Sequence, residues 1–266
     1  PDARLLAAAP TLRTASILLD QLQGAFERAV RTILAHLESG HPEGAANPLA
    51  ELARFAPVGR QLVEPWKVVI AGPPNVGKSS LVNALAGYQR SVVSEVAGTT
   101  RDVVTVPVAF DGWPVELADT AGLRDAAGLE AEGVERAKRF LAEADLVVWV
   151  SDSDDWERSY PDPETAAAVT LPMNRWVLVR NKSDLGVEVP QDCTPKPLYV
   201  SALTGDGVPA LASWIAYRLV PNPPPPGAAV PFTPQLAELV EAAHAALSAG
   251  RTDDAIRLLR DAIGHT

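Results

Sequence analysis

Hydrophobic residues along the chain follow two different rhythms. From Thr11 to about Leu37 the apolar positions Leu12, Leu19, Leu22, Phe26, Val30, Ile33 and Leu37 recur at spacings of three, four and seven, which is one face of a helix. The pattern predicts one long helix with an apolar packing stripe. A turn-rich gap at Gly40, Pro42, Gly44 and Pro48 follows, then a second helical stretch from Leu49 to about Phe55 that resumes near Val58 to Val63. Beyond Pro65 the rhythm shortens to apolar runs at Val68 to Ile70, Val103 to Phe110, Val115 to Ala118, Trp176 to Val179 and Leu198 to Val200, alternating with helical segments. Buried strands alternating with helices predict a doubly wound, mostly parallel sheet whose ligand lies at the strand C-termini. Pro221-Asn222-Pro223-Pro224-Pro225-Pro226-Gly227 reads as a stiff, extended linker. Thr233-Pro234 caps a helix from Gln235 to Ala249, and Thr252 opens another that runs to about Ile263.

The fold class is therefore α/β: a doubly wound, mostly parallel sheet domain with a small α-helical domain built from both chain ends. The expected boundaries are a helical segment at 1–64, the sheet domain at 65–220, a Pro-rich linker at 221–232 and a C-terminal helical segment at 233–266. No internal repeat is visible.

The chemistry starts where the first apolar run ends. Residues 72–79 read Gly-Pro-Pro-Asn-Val-Gly-Lys-Ser, a complete G-x-x-x-x-G-K-[ST] loop between a strand and a helical run beginning at Ser80. Gly72 and Gly77 let the backbone turn its N–H groups toward phosphate, Lys78 brings a positive charge to the β and γ oxygens, and Ser79 offers a hydroxyl to Mg2+. Asn75, Val76, Gly77, Lys78, Ser79 and Ser80 are thus candidate phosphate-binding residues.

Base selection is assigned to a later motif, Asn181-Lys182-Ser183-Asp184, which follows the run ending at Val179. A carboxylate at Asp184 accepts two hydrogen bonds from the N1–H and N2–H₂ edge of guanine, whereas adenine presents an acceptor at N1. Asn181 reaches N7 or bridges back to the phosphate loop, and the Lys182 stem lies over the ring. Ser201-Ala202-Leu203 follows the run ending at Val200 and offers a backbone N–H to the guanine O6. Between these motifs lie groups suited to sensing the γ-phosphate: Asp119-Thr120-Ala121-Gly122 at the end of one strand, and Gly98-Thr99-Thr100 before another. Asp119 is placed to hold a Mg2+-bound water, Gly122 to face the γ-phosphate, and Thr100 to be a second Mg2+ ligand. Five elements in this order imply a guanine-nucleotide-binding domain.

Composition narrows the setting. With 47% hydrophobic residues the chain can bury a substantial core. A single cysteine, Cys193, allows no internal disulfide, which points to a reducing, cytoplasmic setting. No apolar run reaches membrane-spanning length, so no membrane partner is expected. The net charge of −10 argues against a general nucleic-acid surface, and the pairs Arg28/Arg31 and Arg257/Arg260 read as ordinary solvated helix faces. The chain opens on Pro1, so a piece of a longer protein is expected.

Within the guanine-nucleotide class the sequence resembles the tRNA-modification GTPases called MnmE or TrmE. The resemblance runs from about Val68 to Leu219, through the phosphate loop and its continuation Ser-Leu-Val-Asn-Ala-Leu-Ala-Gly, through Val-Ala-Gly-Thr-Thr-Arg-Asp, and through Asp-Thr-Ala-Gly-Leu-Arg. The stretch Glu130-Ala131-Glu132-Gly133-Val134-Glu135-Arg136-Ala137 resembles the family's switch II helix. The resemblance implies GTP and GDP as ligands, Mg2+ on Ser79 and Thr100, and K+ on Asn75, Ser94, Val96 and Thr99. The switch I residues Ser94, Glu95, Val96, Ala97, Gly98, Thr99 and Thr100 join the candidate GTP site on the same ground, beside Asp119, Thr120, Ala121 and Gly122. Leu123 stands where Ras-like enzymes place a water-orienting glutamine, and leucine can orient nothing. The resemblance assigns that role to Glu130, against the plainer reading of a solvated helix-face carboxylate.

The resemblance also implies a homodimer through the switch face and a tRNA-modification partner protein. Family members carry an N-terminal folate-binding domain and a C-terminal cysteine motif. This sequence shows neither, so direct tRNA contact through it is not expected. Three functions compete: a K+-dependent GTPase serving tRNA wobble-uridine modification; a ribosome-assembly GTPase of the Era or Der kind; and a weakly catalytic guanine-nucleotide-binding scaffold.

Overall fold

The computed structural model describes residues 3–89, 105–119, 141–152, 175–186 and 196–264. They divide into two units, one formed by Pro1–Pro65 with Asn222–Thr266, the other by Trp66–Pro221. The first unit opens with α1 (Ala3–Ala7), α2 (Leu12–Leu22), α3 (Ala25–Glu38), α4 (Pro42–Arg54) and α5 (Ala56–Arg60). Thr11 caps α2 reciprocally: its hydroxyl accepts from the Thr14 N–H and the Thr14 hydroxyl oxygen accepts from the Thr11 N–H, both at 3.3 Å.

The single long helix expected between Thr11 and Leu37 is two helices. Gly24 adopts φ 85°, a left-handed conformation that interrupts the hydrogen-bond ladder and that only glycine takes cheaply. The break resets the helical phase, so the stripe does not run through. Phe26, Val30, Ile33 and Leu37 of α3 are buried, but in α2 the buried residues include Leu18 and Gln21 while Leu12 and Leu19 are 82% and 44% exposed. The expected gap from Gly40 to Pro48 is also corrected. Helix α4 starts at Pro42, where a first-turn proline loses no hydrogen bond, and it continues through Pro48. Pro48 forfeits one internal bond, and burial of Ala45, Leu49 and Leu52 outweighs that loss.

The second unit is a six-stranded sheet. Its strands are β1 (Trp66–Ala71), β2 (Thr105–Phe110), β3 (Trp113–Asp119), β4 (Leu146–Ser151), β5 (Trp176–Arg180) and β6 (Leu198–Tyr199), in the spatial order β2-β3-β1-β4-β5-β6. Only the β2–β3 hairpin is antiparallel; the other pairs are parallel. Strand β4, Leu-Val-Val-Trp-Val-Ser, is buried along its whole length, as expected of a parallel strand covered on both faces. One core cluster joins Val69, Ala71, Ala118, Val147 and Trp149 with Leu141 and Ala144, and Trp176 and Leu178 pack against it. Helices α6 (Lys78–Gln89) and α7 (Val208–Leu219) pack on each other and on the sheet. From β1 the order runs to β3 on one side and to β4 on the other, which makes the C-terminal end of β1 a switch point where a crevice opens.

The first unit is completed by α8 (Pro234–Ser248) and α9 (Thr252–Gly264). The Thr233 hydroxyl accepts from the Leu236 N–H at 3.1 Å, with Pro234 in the first turn. Helix α8 packs on α9, α4 and α5, and α9 packs on α3. Their contact faces are buried and largely small, including Ala237, Val240, Ala243, Ala255, Leu259 and Ala262. At the rim, Arg260 pairs with Glu38 at 2.7 Å and Arg60 donates to Glu241 at 3.0 Å.

The Pro-rich stretch, expected as a linker, belongs to this helical unit from Asn222 onward. The Asp20 carboxylate accepts from the Gly227 N–H at 2.8 Å. The buried Gln21 amide donates to the Ala228 carbonyl at 3.0 Å and accepts from the Val230 N–H at 3.1 Å. Phe232 then meets Phe26 edge to face, ring centroids 5.7 Å apart. Among the described residues no helix is long and apolar enough to cross a membrane.

Candidate functional site

Strand β1 stops at Ala71, and the phosphate loop turns from it directly into α6. That helix begins at Lys78, two residues earlier than the sequence predicts, so Lys78 and Ser79 sit in its first turn, the end of a helix whose backbone N–H groups and dipole suit an anion. Lys78 is 7% exposed, and its ammonium lies across the loop, donating to the carbonyls of Gly72 at 3.1 Å and Pro73 at 2.7 Å. Val76 is buried, whereas Asn75 and Ser80 are exposed. The Ser79 hydroxyl donates to Asp119 Oδ2, from the buried carboxylate that ends β3. A hydroxyl and a carboxylate oxygen in contact, beside a phosphate loop, fit the hard oxygen set that Mg2+ takes.

The loops expected to read the base meet the same phosphate loop through Asn181. Asn181, 2% exposed, follows β5 and is fixed by its own N–H donating to the Ser151 carbonyl at 2.8 Å. Its amide nitrogen donates to the Val76 carbonyl at 2.8 Å, and its amide oxygen accepts from the Ala202 N–H at 3.0 Å. One buried side chain thus joins the phosphate loop to the Ser201-Ala202-Leu203 loop. Gly77 makes this possible: it lies at φ 88°, and a Cβ there would sit 2.5 Å from the Asn181 amide nitrogen. Ser201, fully buried, donates to Asp184 Oδ1 at 2.6 Å and accepts from the Thr204 N–H at 3.1 Å, which sets the orientation of the carboxylate. The Ser183 N–H donates to the Val200 carbonyl at 3.1 Å, and Leu203 stands 86% exposed beside the crevice.

Lys182 takes a left-handed conformation, φ 60°, and its ammonium donates to the Asn75 carbonyl at 2.9 Å and to Asp152 Oδ2 at 2.6 Å. Asp152 was not among the residues singled out from sequence. The signal for it was present: it is an acid one residue beyond a fully buried strand that neighbours β1.

The structure therefore brings together Asn75, Val76, Gly77, Lys78, Ser79, Asp119, Asn181, Lys182, Ser183, Asp184, Ser201 and Ala202. Of the remaining candidates, Ser80 and Leu203 are described and exposed, whereas Ser94 to Thr100, Thr120 to Gly122 and Glu130 lie outside the described residues. Of the K+ set only Asn75 is described. Its backbone is left-handed, φ 63°, and its carbonyl is engaged by Lys182.

A phosphate loop at the switch point of a doubly wound sheet, joined through Asn181 to the loop that follows β6, defines the class: a P-loop GTPase domain. Comparison with known proteins agrees. A family model described as a 50S ribosome-binding GTPase matches residues 67–182. The tRNA modification GTPase MnmE of Xanthomonas euvesicatoria is 44% identical over 166 residues, covering 62% of this chain and 36% of that protein. The MnmE of Alkalilimnicola ehrlichii is 37% identical over 237 residues, covering 77% of this chain and 52% of that protein. A crystal structure of an Era variant from Aquifex aeolicus bound to GDP and aluminium fluoride aligns at a TM-score of 0.42 and 30% identity, over 59% of this chain and 58% of that one. Over its G domain the chain belongs to the MnmE/TrmE family of GTPases, and it spans about a third to a half of the length of those two curated relatives.

Proposed function

We propose that this chain hydrolyses GTP to GDP and phosphate with activation by K+, and that it serves tRNA wobble-uridine modification. The observation that carries the reading is the Asn181 amide. By holding the Val76 carbonyl and the Ala202 N–H together, it sets the phosphate cradle and the guanine-reading loops at one crevice. Lys78 balances the charge of the β and γ phosphates, the first-turn N–H groups of α6 orient them, and Asp184, steered by Ser201, selects guanine. The Ser79 hydroxyl, Thr100 and, through a water, Asp119 would hold Mg2+, which would supply positive charge to the phosphates. Asn75, with Ser94, Val96 and Thr99, would hold K+ and supply the positive charge that an arginine finger brings elsewhere. Glu130 orients the attacking water, and two chains pair through their switch faces to order it.

The tRNA assignment rests on the printed function of the MnmE relatives, of which this chain spans only a part. GTP turnover in KCl and in NaCl at matched ionic strength tests the ion: a faster rate in K+ that Asn75→Ala abolishes is expected, and equal wild-type rates would remove K+ from the mechanism. Wobble-uridine modification in a strain whose own MnmE is deleted, with this protein supplied, tests the pathway. The family model's description favours a second reading, action on the large ribosomal subunit. Co-sedimentation with 50S subunits at physiological salt separates the two.

A further inference from the structure

The Lys182 stem is the one that the sequence reading lays over a bound base, and a lysine stem is mobile, so rotamer entropy opposes any fixed path. In this structure the ammonium is tied at two points. One is the Asn75 carbonyl of the phosphate loop, at 2.9 Å, a neutral acceptor on a backbone held at φ 63°. The other is the Asp152 carboxylate, at 2.6 Å, one residue past the buried strand β4. A charge-assisted bond is roughly twice as strong as a neutral one, so the carboxylate is the stronger tether. It is also anchored on the more rigid element, because β4 is paired on both sides, to β1 and to β5. Both groups are only partly exposed, 38% for Lys182 and 34% for Asp152, so solvent screens the pair less than it would a surface ion pair.

We propose that Asp152 is a positioning residue of the nucleotide site: acting through Lys182, it holds the lysine stem along the guanine face and the ammonium against the phosphate loop, and so sets how long the nucleotide stays bound. Asp152 itself touches no nucleotide. The inference rests on the reading of the crevice as a guanine-nucleotide site. It adds a link between the base-reading loop and the end of β4 that none of the five motifs contains.

The test is the release rate of fluorescent mant-GDP from the full chain, for wild type, Asp152→Asn, Asp152→Ala, Lys182→Met and the Lys182→Met/Asp152→Ala double variant. Thermal unfolding of each without nucleotide runs alongside. A partly exposed ion pair of this kind predicts that Asp152→Ala speeds release roughly three- to tenfold, with the near-isosteric Asp152→Asn moving the same way by less. In the Lys182→Met background the second substitution should change nothing further, because its only route to the nucleotide is gone. An unchanged release rate in both single Asp152 variants would overturn the proposal. So would an equal acceleration with and without Lys182, since a merely structural role predicts that and a parallel loss of thermal stability. If wild type fails to prefer mant-GDP over mant-ADP, the guanine reading falls and the inference falls with it; preference retained with unchanged release overturns the inference alone.

Discussion

Single side chains at this site answer to more than one partner, and their substitution tests separate those duties. Asp184 is the residue proposed to read guanine, and its orientation is set by the Ser201 hydroxyl at 2.6 Å. Asp184→Asn cannot accept both guanine edge hydrogens, so GTP affinity should fall roughly 10- to 100-fold, the cost of lost hydrogen bonds to a charged group. Xanthine carries a carbonyl where guanine has its amino group, so xanthosine triphosphate should become the better ligand. Competition binding with both nucleotides checks this, and an unchanged GTP affinity would refute the base assignment. Asn181 does something different: its two bonds are internal to the protein. Asn181→Ala leaves the Val76 carbonyl and the Ala202 N–H short of a partner, which should cost about 1–3 kcal/mol of stability before any nucleotide is added. Urea unfolding of the nucleotide-free chain measures it.

At the scale of an element, two contacts decide how segments are held. Helix α5 passes so close to the segment before α8 that a Cβ on Gly59 would lie 1.8 Å from the Pro231 carbonyl oxygen. At an ordinary helical glycine, alanine gains about 0.5–1 kcal/mol. Here the obstacle is backbone, which cannot swing away, so Gly59→Ala should instead lose about 1–3 kcal/mol, read as a lowered melting temperature. The entry to β4 offers a pH-dependent contact. Asp145 accepts from the Lys67 N–H at 2.8 Å, and its own N–H donates to the Lys67 carbonyl at 2.8 Å, which ties the start of β1 to the start of β4. Burial pushes the Asp145 carboxyl above its ordinary range, more than the Lys67 hydrogen bond and the nearby Arg175 and Lys67 charges pull it down. The folded state therefore holds this proton more tightly than the unfolded chain. Its contribution to stability is present below the ordinary carboxylate range and is lost as pH rises through the raised folded value. Asparagine keeps an acceptor for the Lys67 N–H without the charge. Asp145→Asn should thus match or exceed wild type near neutral pH, and the difference should close as pH falls below about 4. Melting temperatures from pH 8 down to about pH 3 test the sign.

At the scale of the whole molecule the open question is turnover. If Glu130 orients water in a switch region ordered by pairing of two G domains, the rate per molecule should rise with protein concentration in K+. Glu130→Ala should then lower kcat by about 10² to 10⁴ with little change in GTP affinity, since a water-orienting group touches no part of the bound nucleotide. Steady-state turnover and mant-GTP binding, measured at high protein concentration, give the two quantities. A normal rate in Glu130→Ala with a slow Glu132→Ala or Glu135→Ala would mean that the switch II stretch is aligned two or five residues off. Normal rates in all three would end the carboxylate mechanism.

Local pattern was enough to read from the chain alone the class of the sheet, five of its six strands, the capped start of α8 and the positions of the phosphate-loop and Asn-Lys-x-Asp motifs, while the buried run Leu146–Ser151 that forms β4 is missing from that reading. Each of these is written in neighbouring residues: a strand in its apolar run, a phosphate loop in two glycines and a lysine at fixed spacing. What local pattern misjudged was decided by packing. A helical stripe carries through a glycine on paper, but Gly24 at φ 85° divides it and leaves Leu12 and Leu19 exposed. Pro42 and Pro48 read as turn residues, yet burial of Ala45, Leu49 and Leu52 draws them into α4. A run of prolines reads as a spacer until Asp20 and Gln21, some two hundred residues away in sequence, bond to its backbone. The same holds for the site. The sequence names Asn75, Asn181, Lys182 and Asp184 separately, but only the fold brings Asp152 to Lys182 and stretches the Asn181 amide between two loops, because contacts between distant segments follow from how strands are ordered in the sheet and not from the spacing of residues along the chain.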